Sequence, residues 1–387
     1  MSGWFANSTV NVRNRSSLML RRLLYLNGLA TIAAVIHHAV HWALTAMFWW
    51  ADRYRPVSVP NYDQIGSVTY YLLRLVDQFA ISALPVFLFV SGFYIAFANK
   101  NQKGKNAWNL VFIRIRWLLP SYLIWSSAVL LMSYYDGESY DFRGIVSIYL
   151  TGGAAAPYYY VPLIVQLYLL SPFILPMVRK HPVGILLLGF LLQVVVAISW
   201  YLPWFGLSGS AMEPAMSLLR QWPPLAYAAW FIMGMVASVY LNTFERLLLR
   251  HKRWLLLALA LAFMLGQAEW GALIHLSGKE WLSPQLTIMN KFFVLLVLLS
   301  FLCFKGINPI NPSIAEFIGI RSYGVYLIHA PVLEFSARAI YHFAPGFLAY
   351  TPLFLACLVI AGLTLPLIPM AVIQRSPFKK YYRDLFG

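Results

Sequence analysis

The sequence predicts an all-α integral membrane protein, a bundle of about ten transmembrane helices with both chain ends in the cytoplasm. Three observations support that prediction. Of the 387 residues, 60% are hydrophobic and only 11% are charged, whereas about 25% of the residues in a soluble domain are charged. The apolar residues form runs close to the roughly 20 residues that cross a bilayer. The cations cluster in alternate connecting segments.

The apolar runs follow one another without a long polar insert, which indicates one membrane domain over residues 23–373. A basic segment precedes it at 1–22, and a basic tail follows at 374–387. We expect the spans at 23–51, 79–98, 117–132, 158–178, 183–204, 223–241, 254–274, 286–304, 314–335 and 347–373.

The net charge of +16 is best read as a topology signal. Lys and Arg concentrate in both chain ends and in every second connection, while the other connections hold most of the loop acids. Basic loops remain on the cytoplasmic side, so both ends are predicted to be cytoplasmic. We therefore expect a multi-pass protein of the cell (inner) membrane whose partners are lipids, and no nucleic-acid binding.

Four segments carry a family resemblance. They are LPVFLFVSGFYIAF at 84–97, FIRIRWLLPSYLIWS at 112–126, PYYYVPLIVQLYLLSPFILP at 157–176 and IGIRSYGVYLIHAPVL at 318–333. In this order they resemble hallmark segments of the membrane-bound acyltransferase family 3, the O-antigen acetylase-like enzymes. The resemblance implies transfer of an acyl (acetyl-like) group from cytoplasmic acyl-CoA to a hydroxyl of a glycan or lipid-linked acceptor near the outer face.

One position departs from the family pattern. Members of the family usually carry an Arg, ten residues and then a His on the first span; here His38 aligns with the His, and Asn27 stands where the Arg is expected. Arg22 and Arg116 are candidates for the missing cation. The departure leaves a second hypothesis open, a catalytically degenerate member that serves as a structural subunit of a membrane complex. A lipid or solute transporter is a third, and no internal repeat favours it.

Two histidines are the predicted catalytic residues. A neutral imidazole can take the proton of an attacking hydroxyl near neutral pH, and polar groups inside the membrane are costly and usually functional. His38 lies about 24 Å along the helix beyond Arg22, in the outer half of the membrane, and topology places His329 at the same depth. The alternative roles are structural: a hydrogen-bonded His38, and a His329 that joins two helices.

The remaining candidates are weaker. Arg114 and Arg116, at the inner mouth of the third span, suit the phosphates of CoA or ordinary positive-inside anchoring. His41 shares a helix face with His38 and pairs with His37 at i+4, a spacing that can ligate metal; because no carboxylate or thiolate is near in sequence, we expect no metal. The predicted substrate-lining residues are Asn27, His41, Gln166, Tyr168 and Tyr326.

Acidic residues in the apolar runs leave several pairings open. Asp77 could pair with Arg74 at i−3. Glu269, Glu316 and Glu334 could pair with Arg321 or Arg338, or line a pathway. The sequence identifies neither the acyl group nor the acceptor, and it allows a homo-oligomer or a partner in a membrane complex.

Overall fold

The computed structural model describes residues 3–48, 66–100, 105–207, 213–279, 281–304 and 308–387, together with Gly209 and Gly306. Over these ranges the chain is helical and forms no β-strand. The helices are α1 (Gly3–Phe48), α2 (Val68–Ala80), α3 (Ala83–Ala98), α4 (Lys105–Tyr135), α5 (Phe142–Thr151), α6 (Tyr160–Lys180), α7 (Pro182–Tyr201), α8 (Glu213–Gln221), α9 (Pro223–Val239), α10 (Leu241–Arg250), α11 (Lys252–Ser277), α12 (Ile288–Cys303), α13 (Pro312–Ile320), α14 (Ser322–Phe343), α15 (Thr351–Thr364), α16 (Leu367–Arg375) and α17 (Tyr382–Phe386).

Seven helical segments in the described chain are long and apolar enough to cross a bilayer, so the protein is a multi-pass membrane protein. An eighth candidate is the bent pair Glu213–Arg220 and Pro223–Val239, with a 43° bend. The seven segments are Leu18–Phe48, Val68–Ala98, Ala107–Tyr135, Ala156–Lys180, Pro182–Phe205, Lys252–Ser277 and Thr351–Arg375.

Three of the ten predicted spans lie outside these seven segments: the sixth corresponds to the bent pair, and the eighth and ninth lie outside for identifiable reasons. The eighth corresponds to α12, whose 16 residues extend about 24 Å, less than the roughly 30 Å hydrocarbon core. The ninth is broken at Arg321 into α13 and α14, and Glu334 and Arg338 raise the polarity of α14. The count of ten and the cytoplasmic placement of both ends therefore stay predictions.

Glycines at two helix crossings set the packing of the bundle. A Cβ on Gly92 of α3 would lie 2.0 Å from the carbonyl oxygen of Phe231 in α9, and one on Gly234 would lie 1.9 Å from that of Phe89. The backbones of α3 and α9 therefore touch at this crossing. A Cβ on Gly28 of α1 would similarly meet the Ala315 carbonyl of α13.

The first helix is central to the site because of its neighbours. It contacts α2, α3, α13, α14 and α15, and these contacts bring its middle turns against the residues around position 329. Large apolar side chains such as Leu187, Leu191 and Ile360 are exposed on the outside of the bundle. A membrane protein is expected to present such side chains to lipid.

The glutamates of the apolar runs are all paired, two of them between helices and Glu334 within α14. Glu269 of α11 accepts hydrogen bonds from the N–H groups of Ile288 (3.1 Å) and Met289 (2.7 Å). These amides begin α12, where the helix dipole favours a carboxylate. The other two acids form ion pairs: Glu316 with Arg21 at 2.8 Å and Glu334 with Arg338 at 2.6 Å.

The basic tail folds back on the bundle. The Trp125 Nε1–H donates to the Leu385 carbonyl at 2.9 Å, Phe386 is buried, and α17 contacts both α4 and α14. The Arg383 guanidinium lies 4.0 Å from the ring centroid of Trp117. The tail therefore packs over one end of the bundle, against α4 and α14.

Candidate active site

A cavity of about 310 Å³ lies among the middle turns of α1, the α2–α3 junction, the 3₁₀ turn before α6, α9, the segment before α12, and α14. Its walls are mainly aromatic and aliphatic, with a few polar groups that converge on one side. The polar and aromatic lining residues are His37, His38, His41, Phe87, Tyr159, Tyr160, Tyr227, Ser283, Gln285 and Tyr326.

The packing of α1 against α14 brings the two predicted catalytic histidines together, with His38 lining the cavity and His329 buried behind it. The ring centroids of His38 and His329 are 5.3 Å apart, although the residues belong to α1 and α14. His38 is half-buried and lines the cavity. Among the residues that the structure describes, none forms a hydrogen bond with its ring. His38 therefore offers an imidazole whose nitrogens are free of hydrogen bonds to the described residues.

His329 is held in one tautomer by its own helix. Its Nδ1 lies 2.6 Å from the carbonyl oxygen of Tyr326. Since a carbonyl oxygen only accepts, Nδ1 carries the proton, and a neutral ring then has its lone pair on Nε2. That Nε2 is buried and has no hydrogen-bond partner in the described protein. His329 can therefore accept a proton or a hydrogen bond at Nε2.

A proline explains how α14 is tied to the turn that precedes α6. Pro331 lies inside α14 and has no N–H, so the Leu327 carbonyl, four residues earlier, lacks its helical partner. The buried Tyr158 hydroxyl donates to that carbonyl at 2.5 Å. In the opposite direction, the Tyr326 hydroxyl donates to the Pro157 carbonyl. These two hydrogen bonds fix the position of α14, which carries His329, relative to the turn that forms part of the cavity wall.

His37 and Asp77 form a pair that the sequence did not predict. His37 Nδ1 lies 2.5 Å from Asp77 Oδ1, and the Asp77 side chain is fully buried. The suggested Asp77–Arg74 pairing is wrong, because Arg74 donates to the Gln267 carbonyl at 3.3 Å and lies over the Trp270 ring at 4.8 Å. Asp77 faces α1 instead, and it directs His37 toward the cavity.

His41, one of the predicted substrate-lining residues, lines the cavity on the other side of His37. The ring centroids of His37 and His41 are 4.4 Å apart, and Trp281 packs edge-on against His41 at 6.1 Å. His41 Nε2 is buried without a hydrogen-bond partner in the described structure. Tyr326 also lines the cavity, with its ring centroid 5.7 Å from that of His329.

Asn27, predicted to line the substrate site, does not line this cavity. Its amide nitrogen donates to the Ser322 hydroxyl at 2.6 Å and to the Gly319 carbonyl at 3.2 Å, so it joins α1 to α13 and α14. Arg22 does not take the place of the missing Arg either. Its guanidinium donates to Asn308 Oδ1 at 2.7 Å and to the Phe301 carbonyl at 3.1 Å, about four turns before the histidines on α1.

Gln166 and Tyr168 lie on other faces of α6. Gln166 Oε1 accepts from Trp222 Nε1 at 3.1 Å, at the entrance to α9. Tyr168 is buried and packs edge-on against Phe231, with ring centroids 6.0 Å apart. Neither residue reaches the cavity with the histidines.

Arg114 and Arg116 lie one turn before Pro120 of α4, away from the histidine cavity. Arg114 is half-buried and lies within electrostatic range of the Tyr94 and Tyr168 phenols. Arg116 is exposed. Only Arg114 therefore faces the interior, toward the cleft between α3 and α6.

The cavity also contains residues that sequence reasoning missed. Gln285 Oε1 accepts from the Tyr227 hydroxyl at 2.8 Å and from the Tyr159 hydroxyl at 3.4 Å. Tyr159 belongs to the 157–176 segment and could have been selected from it. No sequence pattern marks Gln285 or Tyr227, because they come from distant connections that only the fold brings together.

The comparisons with known proteins agree with the fold. A family model described as an acyltransferase domain matches residues 2–368, nearly the whole chain. No curated protein and no solved structure matches the chain. The match confirms the resemblance seen in the four segments, all of which lie inside it. On the strength of this match over nearly its whole length, the chain belongs to acyltransferase family 3, a family of membrane acyltransferases.

Proposed function

We propose that the protein transfers an acyl group from acyl-CoA to a hydroxyl of a glycan or lipid-linked acceptor, with the chemistry at the His38–His329 cavity. One observation carries the proposal. In a chain of this family, two imidazoles from distant helices lie 5.3 Å apart at a cavity, and neither His38 nor His329 Nε2 is engaged by the described protein.

The reaction assigns His38 the role of general base. The acceptor oxygen attacks the thioester carbonyl carbon while His38 takes the hydroxyl proton. The C–S bond then breaks, the acyl group remains on the acceptor oxygen, and CoA leaves with the proton on its sulfur. The lone pair of His329 Nε2 orients the acceptor hydroxyl toward this exchange.

The cavity walls suit a ring-shaped acceptor. Tyr159, Tyr160 and Tyr227 present aromatic faces to the same space, and Gln285 adds an amide whose oxygen is already oriented by two phenols. Pockets of this kind bind by apolar contact and use a few fixed polar groups for orientation. A sugar or the head of a lipid-linked glycan has the matching combination of apolar faces and hydroxyls.

The donor enters from the other end in this proposal. Ten spans with both chain ends in the cytoplasm put Arg114 and Arg116 at the inner mouth of the bundle, in the cell (inner) membrane. Guanidinium groups pair with phosphate in a bidentate geometry, so Arg114 and Arg116 are the proposed contacts for the CoA phosphates. The thioester then extends past Tyr94 and Tyr168 toward the histidines.

The transfer itself is the direct test. Full-length protein in lipid nanodiscs is incubated with labelled acetyl-CoA and a panel of glycans and lipid-linked glycans. We expect His38→Gln to lose about 10²- to 10⁴-fold in rate, the usual contribution of a general base. The exposed His342 provides the matched control, and His342→Gln keeps the wild-type rate. Full activity in a folded His38→Gln protein would refute the assignment.

One observation favours a second function. The position expected to hold an Arg is Asn27, and its amide is committed to Ser322 and Gly319. A family member that has lost catalysis would act as a structural subunit of a membrane complex. Co-purification with a partner at fixed stoichiometry, together with no binding of acyl-CoA, would favour this alternative over catalysis.

A further inference from the structure

Three side chains around the cavity have the arrangement of metal ligands. His37, His41 and Asp77 each offer one ligand atom, and these atoms all lie within 4.8 Å of one another. The two histidines stand at i and i+4 on α1, so they project from one face of that helix. Asp77 approaches the same point from α2, which contacts α1.

The polar atoms of this cluster are not satisfied by the described protein. Asp77 Oδ2 and His41 Nε2 are both buried without a hydrogen-bond partner. Asp77 is fully buried, and His37 is its one partner among the described residues. A buried carboxylate is costly unless it is paired or coordinates a metal. The second oxygen of Asp77 therefore indicates a ligand that the described residues do not supply.

The cavity also lacks a protein cation. No Lys or Arg is among the described residues that line it. The buried Lys291 borders an adjoining space of about 30 Å³, and its ammonium donates to the Gln285 carbonyl at 2.6 Å. An oxyanion formed beside His38 would have no fixed positive charge from these side chains.

We propose that His37, His41 and Asp77 bind one divalent transition-metal ion of the Zn²⁺ type. Two imidazoles and a carboxylate are a ligand set that Zn²⁺ uses when a fourth position stays open. Bonds of about 2.0–2.2 Å in tetrahedral geometry put ligand atoms roughly 3.3 Å apart. The cluster reaches that spacing through side-chain movements of up to about 1.5 Å.

The open fourth position gives the ion its role, and this step rests on the proposed acyl transfer. His38 lies beside the cluster, with its ring centroid 5.0 Å from that of His37. A bound cation there polarises the thioester carbonyl oxygen and stabilises the negative charge that develops on it. The metal thus provides electrophilic assistance that no Lys or Arg of the lining provides.

Metal binding is measured without acyl donor or acceptor, so its result is independent of the proposed function. Full-length protein carrying no histidine tag is stripped with chelator in detergent micelles and titrated with Zn²⁺ by calorimetry. It is also titrated with Co²⁺, whose visible spectrum reports tetrahedral coordination. We expect one ion per chain.

Two variants and one control decide the outcome. Asp77→Asn and His41→Gln should each weaken binding beyond the roughly 10- to 100-fold that loss of an outer-shell partner costs. His342→Gln should bind like wild type, and thermal unfolding of each protein reports whether it is folded. No stoichiometric binding by wild type, or equal binding by wild type and a folded His41→Gln protein, would overturn the proposal.

Discussion

The bond between Tyr158 and the Leu327 carbonyl gives the sharpest prediction about stability. Tyr158→Phe removes the hydroxyl that donates at 2.5 Å to this carbonyl and leaves the rest of the buried ring in place. Pro331 cannot replace the donor because it has no N–H. An orphaned buried acceptor costs about 1–3 kcal/mol, and hydrogen bonds between membrane helices average about 0.6 kcal/mol with a maximum near 1.7. We expect a loss of about 1–2 kcal/mol.

A double-mutant cycle tests the reason as well as the size of this loss. Pro331→Ala restores an N–H four residues after Leu327, so the helix itself can donate to the carbonyl. The free energy of unfolding is measured in mixed micelles by denaturant titration for wild type, both single variants and the double variant. Tyr158→Phe should cost markedly less in the Pro331→Ala background. An equal cost in both backgrounds would refute the role assigned to Pro331.

Two further predictions concern packing and donor binding. Gly92→Ala would force a Cβ to within 2.0 Å of the Phe231 carbonyl oxygen and should lower the free energy of unfolding by at least about 1–3 kcal/mol, the usual cost of overpacking. Gly184→Ala is the control: its new Cβ would have its nearest contact 4.0 Å away, so the free energy of unfolding should stay close to that of wild type. Equal stability of the two variants would contradict the close contact between α3 and α9. Arg114→Gln should raise KM for acyl-CoA about tenfold, equivalent to about 1.4 kcal/mol, with little change in kcat; a changed kcat at constant KM would place Arg114 outside the donor site.

From the sequence it was possible to predict where most of the long apolar helices lie and that His38 and His329 lie at a similar depth. Apolar runs and alternating basic loops place His38 and His329 at one depth, and α1 contacts α14 in the structure. Depth is encoded along a single helix, so sequence can supply it. The rotation of each helix about its axis depends on its neighbours, and the weaker site predictions depended on that rotation.

Gln166 and Tyr168 show this dependence. Two residues apart on a helix are separated by about 200°, so they cannot both face one cavity. Gln166 contacts Trp222, and Tyr168 contacts Phe231. Tyr160, at the start of α6, lines the cavity instead, together with Pro157 and Tyr159 of the turn that precedes this helix.

The His37–Asp77 pair could not be predicted from the sequence for a different reason. The expectation of no metal rested on the absence of a carboxylate near the histidines in sequence. Asp77 lies 40 positions from His37, on a separate helix, and only the packing of α2 against α1 brings the two together. The helical i−3 spacing pointed to Arg74, which is held by α11 through the Gln267 carbonyl.

Transfer kinetics of His38→Ala, His329→Ala and the double variant test most directly whether the two imidazoles act as one site. Each single variant should lose at least about 100-fold in kcat/KM. Because groups that act as a unit are not additive, the double variant should be no more than a few-fold slower than the slower single variant. Losses that multiply in the double variant, or wild-type transfer by either folded single variant, would contradict a shared catalytic role.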